Sequence, residues 1–175
     1  MLTGMPLGKD YIGQQCSLAR SLEIVGERWT LLILRDAFFG VRRFGDFAAH
    51  LGVPRAVLSD RLGALTEAGV LDRAEGGHGH TEYALTSKGQ ELWPVIRTLL
   101  AWGDEHYSDQ GPRRVFQHAA DDGPVSPAGI CKVCGQDVPA VDLVVAPGPG
   151  LAAPSPSDPV SQALRTPHRL LEPIH

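Results

Sequence analysis

The fold of this chain is decided by residues 40–71, which read GVRRFGDFAAHLGVPRAVLSDRLGALTEAGVL. Residues 43–50 predict a brief helix, and the Gly-Val-Pro triplet at 52–54 predicts a sharp break after it. Because proline suits the first position of a helix, a second helix is expected over residues 54–68. Gly69 then ends it, since glycine favours the position just beyond a helix C-terminus.

Two helices separated by so short a break predict a helix-turn-helix, whose second helix lies in the major groove of DNA. The inward face of this helix carries Leu58, Leu62 and Leu65 at helical spacing. Arginine on its outward face would suit DNA, because the planar guanidinium pairs bidentately with phosphate and guanine. The candidates for DNA contact near its start are Arg55, Ala56, Ser59 and Asp60, with Arg61 on the flank.

A β-hairpin wing is expected directly after the motif. Residues 70–73 and 81–85 predict two strands, and the stretch between them is too rich in glycine for anything but a turn. His78 and His80 lie in that turn. Either they reach DNA beside the recognition helix, or they are solvated turn residues.

Helices are expected on both sides of the motif. Residues 17–25 carry an apolar stripe, and residues 28–39 are apolar nearly all round, which indicates a buried helix. A long helix over 87–107 has a wide apolar face and a predicted kink at Pro94. Since one small domain cannot cover that face, we expect a homodimer, which would match a pseudo-palindromic operator.

Composition does not exclude a nucleic-acid partner, although the net charge of the 175 residues is −4. Residues 12–103 carry ten basic and ten acidic groups, whereas residues 104–175 carry five and nine, so the excess acid lies in the second part. No apolar stretch approaches the roughly 20 residues that span a bilayer, and the N-terminus lacks a secretion signal. The three cysteines do not resemble a disulfide framework. These features predict a cytoplasmic protein without a membrane partner.

The predicted fold class is mainly α with a small β-hairpin wing, a winged helix-turn-helix, plus a small C-terminal zinc-ribbon-like appendage and a disordered tail. The tail is expected because its Pro-rich composition offers little apolar surface to offset chain entropy. The predicted parts are an N-terminal arm (1–13), a DNA-binding and dimerisation domain (14–108), the ribbon (113–146) and the tail (147–175).

Several stretches resemble the HxlR-type winged-helix regulators of the MarR-like superfamily. They are Cys16 with LEIVGERWTLLILR at 22–35, GVRRFGDF at 40–47, LSDRLGALTEAGVL at 58–71, EYALTSKG at 82–89 and LLAWG at 99–103. The resemblance covers about residues 14–104 in the same order. It implies a cytoplasmic, homodimeric, DNA-binding transcriptional regulator that is not an enzyme.

Three further basic residues have two interpretations each. Arg42 and Arg43 precede the first helix of the motif, where side chains commonly meet the phosphate backbone, but they could be a solvated pair. Arg61 could contact DNA or pair with Asp60 or Glu67 on its own surface.

Cys16 heads the first helix, whose N-terminus favours the thiolate form of a cysteine. Some relatives carry a redox or electrophile sensor at this place, so the resemblance implies that role here. Alternatively, Cys16 is a small apolar residue packed against the partner subunit. A small-molecule effector is also compatible with the resemblance.

Cys131 and Cys134 have the spacing of two thiolates that bind one Zn²⁺. His118 and Asp121 lie upstream and complete a hypothetical set of four ligands for a structural zinc. Longer members of the resembled family carry His-x-x-Cys here, so Asp121 departs from their pattern. The alternatives are a ribbon that keeps its shape without metal, or a redox-active cysteine pair.

Two other functions stay open at this point. One is a winged-helix module that binds a protein and leaves its DNA face unused. The other is an enzyme built on the C-terminal part. The spacing of its His, Asp and Cys residues argues against an enzyme, because it matches metal ligands better than a catalytic set. No Gly-rich phosphate loop is present either.

Overall fold

The computed structural model describes residue 11 and residues 13–76, 79–152 and 158–174. His78 and nearly all of the predicted N-terminal arm lie outside the described residues. Within these ranges, every helix is too short or too polar to cross a membrane.

Four helices open the fold, and the second of them lies in its core. They are α1 (Ser17–Val25), α2 (Thr30–Phe38), α3 (Phe44–Leu51) and α4 (Arg55–Glu67). The side chains of Ile33, Leu34, Ala37 and Phe38 on α2 are completely buried, which confirms the expected buried helix. It begins later than predicted because Trp29 adopts a left-handed backbone with φ of 79°.

Residues 52–54 form the turn between α3 and α4. Gly52 has φ of 61°, and its N–H donates to the carbonyl of Ala48 at 3.0 Å. Val53 is buried beneath the turn, and the carbonyl of Pro54 accepts a hydrogen bond from the N–H of Leu58 at 3.0 Å. The predicted break is confirmed, with Pro54 directly before the helix.

The wing is a two-stranded antiparallel sheet of β1 (Leu71–Glu75) and β2 (Thr81–Leu85). Two helices follow, α5 (Ser87–Gln90) and α6 (Trp93–Tyr107), where one kinked helix was predicted. Pro94 lies in the first turn of α6. A backbone N–H there would have no partner within the helix, so proline starts a new helix instead of kinking a continuous one.

A three-stranded antiparallel sheet packs beside the helices. It is built from β3 (Arg114–His118), β4 (Leu143–Pro147) and β5 (His168–Arg169), in that order, and α7 (Pro159–Ala163) precedes β5. The ring of Trp93 on α6 lies 5.0 Å from that of Phe38 and 5.2 Å from that of Phe116, centroid to centroid. These contacts join the sheet to the helix core.

The prediction of a disordered tail at 147–175 is wrong for its described residues. Val160, Leu164 and Leu170 are each only 1% exposed, and the N–H of Leu171 donates to the carbonyl of Phe38 at 2.8 Å. The overall composition of this segment is poor in apolar residues, but Val160, Leu164 and Leu170 pack into the core. We call residues 158–174 the C-terminal strap.

A buried charged cluster fastens the strap to α3. Asp158 accepts hydrogen bonds from the N–H groups of Val160 and Ser161 at the start of α7, and its Oδ2 lies 2.7 Å from His50 Nδ1. His50 Nε2 lies 3.7 Å from Oδ1 of the fully buried Asp36. Burial alone would raise the pKa of Asp158, but hydrogen bonds from Ser161 and His50 outweigh it and hold that pKa below its ordinary value.

We expect Asp158→Asn to lower the free energy of unfolding by about 1–3 kcal/mol, because it breaks a buried charged hydrogen-bond network. The lowered pKa means that this stabilisation is complete above the unfolded pKa of about 3.9 and is lost as the pH falls through the folded value. The difference between the two proteins in urea unfolding should therefore shrink below about pH 4. Asp109→Asn, at an exposed site, is the control. A pH-independent difference would contradict the charge-based account.

Two glycine substitutions on the helix-turn-helix should act with opposite sign. Gly52→Ala should lower the free energy of unfolding by about 1–2 kcal/mol, because a side chain is strained at positive φ. Gly63→Ala should raise it by up to about 1 kcal/mol, because alanine is the better helix former and nothing lies within 4 Å of the new methyl group. Urea unfolding of both variants checks this, and destabilisation by both would contradict it.

Candidate nucleic-acid interface and metal centre

Helix α4 presents its polar residues to solvent and its leucines to the core. Leu58 and Leu62 are 0% exposed and Leu65 is 1% exposed. On the opposite face of the first two turns, four of the predicted DNA-contacting residues are exposed: Arg55, Ala56, Ser59 and Asp60. The burial therefore agrees with the predicted inward and outward faces.

A cation–π contact and an ion pair position the two arginines of α4. The guanidinium of Arg55 lies 4.8 Å from the ring centroid of Phe44, a cation–π contact that holds it beside α3. Arg61 Nη1 lies 3.5 Å from Glu27 Oε2, so its acidic neighbour is neither Asp60 nor Glu67. Sequence reasoning missed Glu27 because the pair joins α4 to the segment between α1 and α2.

Arg42 and Arg43 differ in their surroundings. Arg42 Nη2 donates to the carbonyl of Leu171 in the C-terminal strap at 2.6 Å, and burial lowers the pKa of its guanidinium. The side chain of Arg43 is 44% exposed, with its Nε 3.7 Å from Glu82 Oε1 on β2. Arg43 is thus accessible to solvent beside Glu82, whereas Arg42 is engaged by the strap.

The wing lies beside the start of α3. The N–H of Tyr83 on β2 donates to the carbonyl of Arg42 at 2.9 Å, which fixes the wing against the α2–α3 connection. His80 is exposed at the end of the hairpin, and its carbonyl accepts a hydrogen bond from Gly76. Arg43, His80 and the start of α4 are therefore all on exposed parts of the motif and its wing.

The four predicted metal ligands come together. The candidate ligand atoms of His118, Asp121, Cys131 and Cys134 all lie within 4.8 Å of one another. His118 Nδ1 is 3.2 Å from Asp121 Oδ1 and 3.5 Å from Cys134 Sγ, and Cys131 Sγ is 3.4 Å from Asp121 Oδ1. Tetrahedral zinc with bonds of about 2.0–2.3 Å requires separations of about 3.3–3.8 Å, so these residues fit that ion.

Local backbone structure brings the ligands together. His118 ends β3, and Asp121 lies in the turn after it, where the N–H of Gly123 donates to Asp121 Oδ1 at 2.9 Å. That hydrogen bond holds the pKa of the Asp121 carboxyl below its ordinary value, which favours the ionised, ligating form. A Cβ on Gly123 would lie 2.4 Å from Cys131 Sγ, so only glycine fits against the cluster.

Cys16 lies directly before α1 and is exposed. It belongs to neither the metal cluster nor the exposed face of α4. The two roles predicted for Cys16, a reactive thiol and a contact with a second subunit, both require this exposure in the single chain.

Comparisons with known proteins extend this picture. The sequence model of the HxlR-like helix-turn-helix family matches residues 24–111. An uncharacterized HTH-type transcriptional regulator of Mycobacterium tuberculosis, Rv3095, is 46% identical over 140 residues, which cover 78% of this chain and 89% of the relative. YdeP of Bacillus subtilis, another uncharacterized HTH-type transcriptional regulator, is 30% identical over 122 residues, covering 66% of this chain and 94% of its own.

Among solved structures, the crystal structure of PA1607, described as a candidate transcription factor, matches with a TM-score of 0.52 and 34% identity. The match covers 82% of this chain and 92% of that one. The similarity to Rv3095 and to PA1607 is thus longer than the stretch matched by the family model, and it takes in residues beyond the winged helix.

Proposed function

The chain belongs to the HxlR-like helix-turn-helix family of transcriptional regulators, which are DNA-binding proteins and not enzymes. From this premise we propose that it is a cytoplasmic, homodimeric regulator that reads a pseudo-palindromic operator through α4. The observation that carries the proposal is the exposed polar face at the start of α4, with Arg55 and Ser59 at its centre.

The proposed contacts divide into base-reading and backbone-positioning groups. Arg55, Ala56, Ser59 and Asp60 face outward at the end of α4 that enters the groove in proteins of this architecture. Arg43 and Arg61 would meet phosphates, as would His80 on the wing. Arg42 would contribute less to phosphate binding, because the carbonyl of Leu171 already accepts a hydrogen bond from its guanidinium.

Exposed apolar side chains on α1, α2 and α6 support the proposed dimer. Trp102 is 54% exposed and Leu18 is 65% exposed. The other large apolar side chains exposed on these helices are Leu22, Ile24, Leu32, Val95, Leu99 and Tyr107. We propose that they form one surface, since a large exposed apolar patch marks an interaction site. A symmetric partner would bury the surface and place two copies of α4 on successive half-sites.

We infer a structural Zn²⁺ bound by His118, Asp121, Cys131 and Cys134, on the strength of their mutual distances. When bound, the ion would hold the turn after β3 and the Cys131–Cys134 turn in one arrangement. It would have no role in any reaction.

We also propose that Cys16 is a redox or electrophile sensor through which an effector acts. Its exposure and its place before α1 support this role.

We expect Arg55→Ala to weaken binding to DNA from around the protein's own coding region by about 5- to 150-fold, the equivalent of 1–3 kcal/mol for a lost bidentate contact. Fluorescence anisotropy at several salt concentrations measures this. Arg165→Ala, at an exposed arginine in the strap, is the matched control and should bind as the natural chain does. Equal binding by the Arg55→Ala protein would contradict the assignment of α4. Absence of DNA binding by the natural chain, even at low salt where phosphate contacts are strongest, would favour a protein-binding module instead.

Mass-spectrometric analysis of metal content should find about one zinc per chain in the purified protein, as expected for a single four-ligand site. Cys134→Ser should lose the metal and melt on the order of 5 °C lower, because metal-binding free energy contributes to folding. Cys16→Ser should keep both properties. The zinc hypothesis is wrong if the natural chain is purified without zinc and a chelator does not change its melting curve.

A further inference from the structure

A cleft of about 340 Å³ lies where α2, α6, β3 and the C-terminal strap meet. Its volume is within the range of roughly 300–1,000 Å³ that is usual for sites of small ligands. Much of its lining is apolar and includes two aromatic rings. The apolar lining residues are Phe39, Leu99, Leu100, Phe116 and Leu151, of which Leu99 also belongs to the surface assigned to the dimer.

Two arginines, Arg35 from α2 and Arg114 from β3, line the cleft together with these apolar residues. The side chain of Arg35 is 24% exposed, and its Nη2 lies 2.6 Å from Asp36 Oδ1. Arg114 is half-buried, and its Nη1 donates to the carbonyl of Leu164 in the strap. Each guanidinium carries five N–H donors, so both retain donors beyond these contacts.

Among the described residues, Asp36 is the acid that pairs directly with an arginine of the cleft, and burial raises the pKa of its carboxyl. Asp158 is engaged by His50. Asp104 also lines the cleft and accepts a hydrogen bond from the backbone N–H of Arg113. Two guanidiniums therefore share one buried carboxylate.

The proximity of Arg35 also affects the protonation of Arg114. Burial lowers the pKa of Arg114, and repulsion by Arg35 lowers it further, while Asp36 opposes both effects. A second anion at this place would relieve the repulsion. The apolar lining would exclude a strongly hydrated inorganic ion in favour of an anion with an apolar body.

We propose that this cleft binds a small organic monocarboxylate, whose carboxylate accepts hydrogen bonds from Arg35 and Arg114 and whose apolar body packs on Phe39 and Phe116. Carboxylates accept such charge-assisted hydrogen bonds from guanidinium groups in paired, planar geometry. Phe39 and Phe116 offer ring surfaces suited to an aromatic acid, and the leucines suit an aliphatic one.

A ligand here would contact both the helix core and the strap. His50 of α3 and Ser161 of α7 also line the cleft, so it touches the first helix of the helix-turn-helix. A ligand that favours one arrangement of these elements would change the affinity for DNA, and DNA would change the affinity for the ligand by the same factor. This regulatory role rests on the proposed function, whereas ligand binding itself does not.

Isothermal titration calorimetry of the full chain without DNA tests the site. The probes are 2-naphthoate, benzoate and octanoate, with 2-naphthamide as the neutral counterpart of the first. We expect at least one acid to bind at one molecule per chain. If naphthoate binds, naphthamide should bind about tenfold or more weakly, since a charged hydrogen bond is lost. Arg114→Met should weaken the binding acid by a similar factor. Arg165→Met, outside the cleft, should leave it unchanged.

Failure of all three acids to bind would overturn the proposal. Equal affinity for naphthoate and naphthamide would also overturn it. Because this comparison uses the natural chain, it tests the proposal even if Arg114→Met fails to fold. Anisotropy of labelled DNA, measured in parallel, separates the two claims. Acid binding without DNA binding would contradict the proposed function alone, whereas DNA binding without acid binding would contradict the cleft alone.

Discussion

The burial of α2 is the constraint on which the other parts of the structure depend. Ile33, Leu34, Ala37 and Phe38 have no exposed surface, so other elements must cover the face of the helix that carries them. Phe38 shows how: its ring packs on Trp93 of α6, and its carbonyl accepts a hydrogen bond from Leu171 of the strap. The helix-turn-helix follows directly on this buried helix and is oriented by it. The exposed face of α4 is a consequence, because Leu58, Leu62 and Leu65 complete the same core.

The sequence predicted the parts of the fold whose signals are local. Glycine and proline at 52–54, the leucine spacing of α4 and the Gly-rich hairpin were sufficient to predict the winged helix. Cys-x-x-Cys with His-x-x-Asp was sufficient to predict the four candidate metal ligands that the fold brings together. The strap was missed because its composition resembles a disordered chain, while its order depends on a few distant contacts. Asp158 with His50 and Leu171 with Phe38 are pairs that no local pattern reveals. The arginines of the cleft were missed for the same reason.

These distant contacts make the C-terminal part continuous with the helix-turn-helix. His118, a candidate metal ligand, ends β3; β3 pairs with β4, and β4 pairs with β5. The residues directly after β5 then contact Phe38 and Arg42 at the entrance to α3. Metal binding or ligand binding in this part would therefore act on elements that position α4, without any need for direct contact with DNA.

In the proposed dimer, two copies of α4 read DNA together. Selection of bound sites from random double-stranded DNA by the full-length protein tests this claim most directly. We predict enrichment of an inverted repeat whose half-sites are about one helical turn, roughly 10 base pairs, apart from centre to centre. Recovery of no enriched sequence would contradict DNA reading, and recovery of an isolated half-site would contradict the dimer.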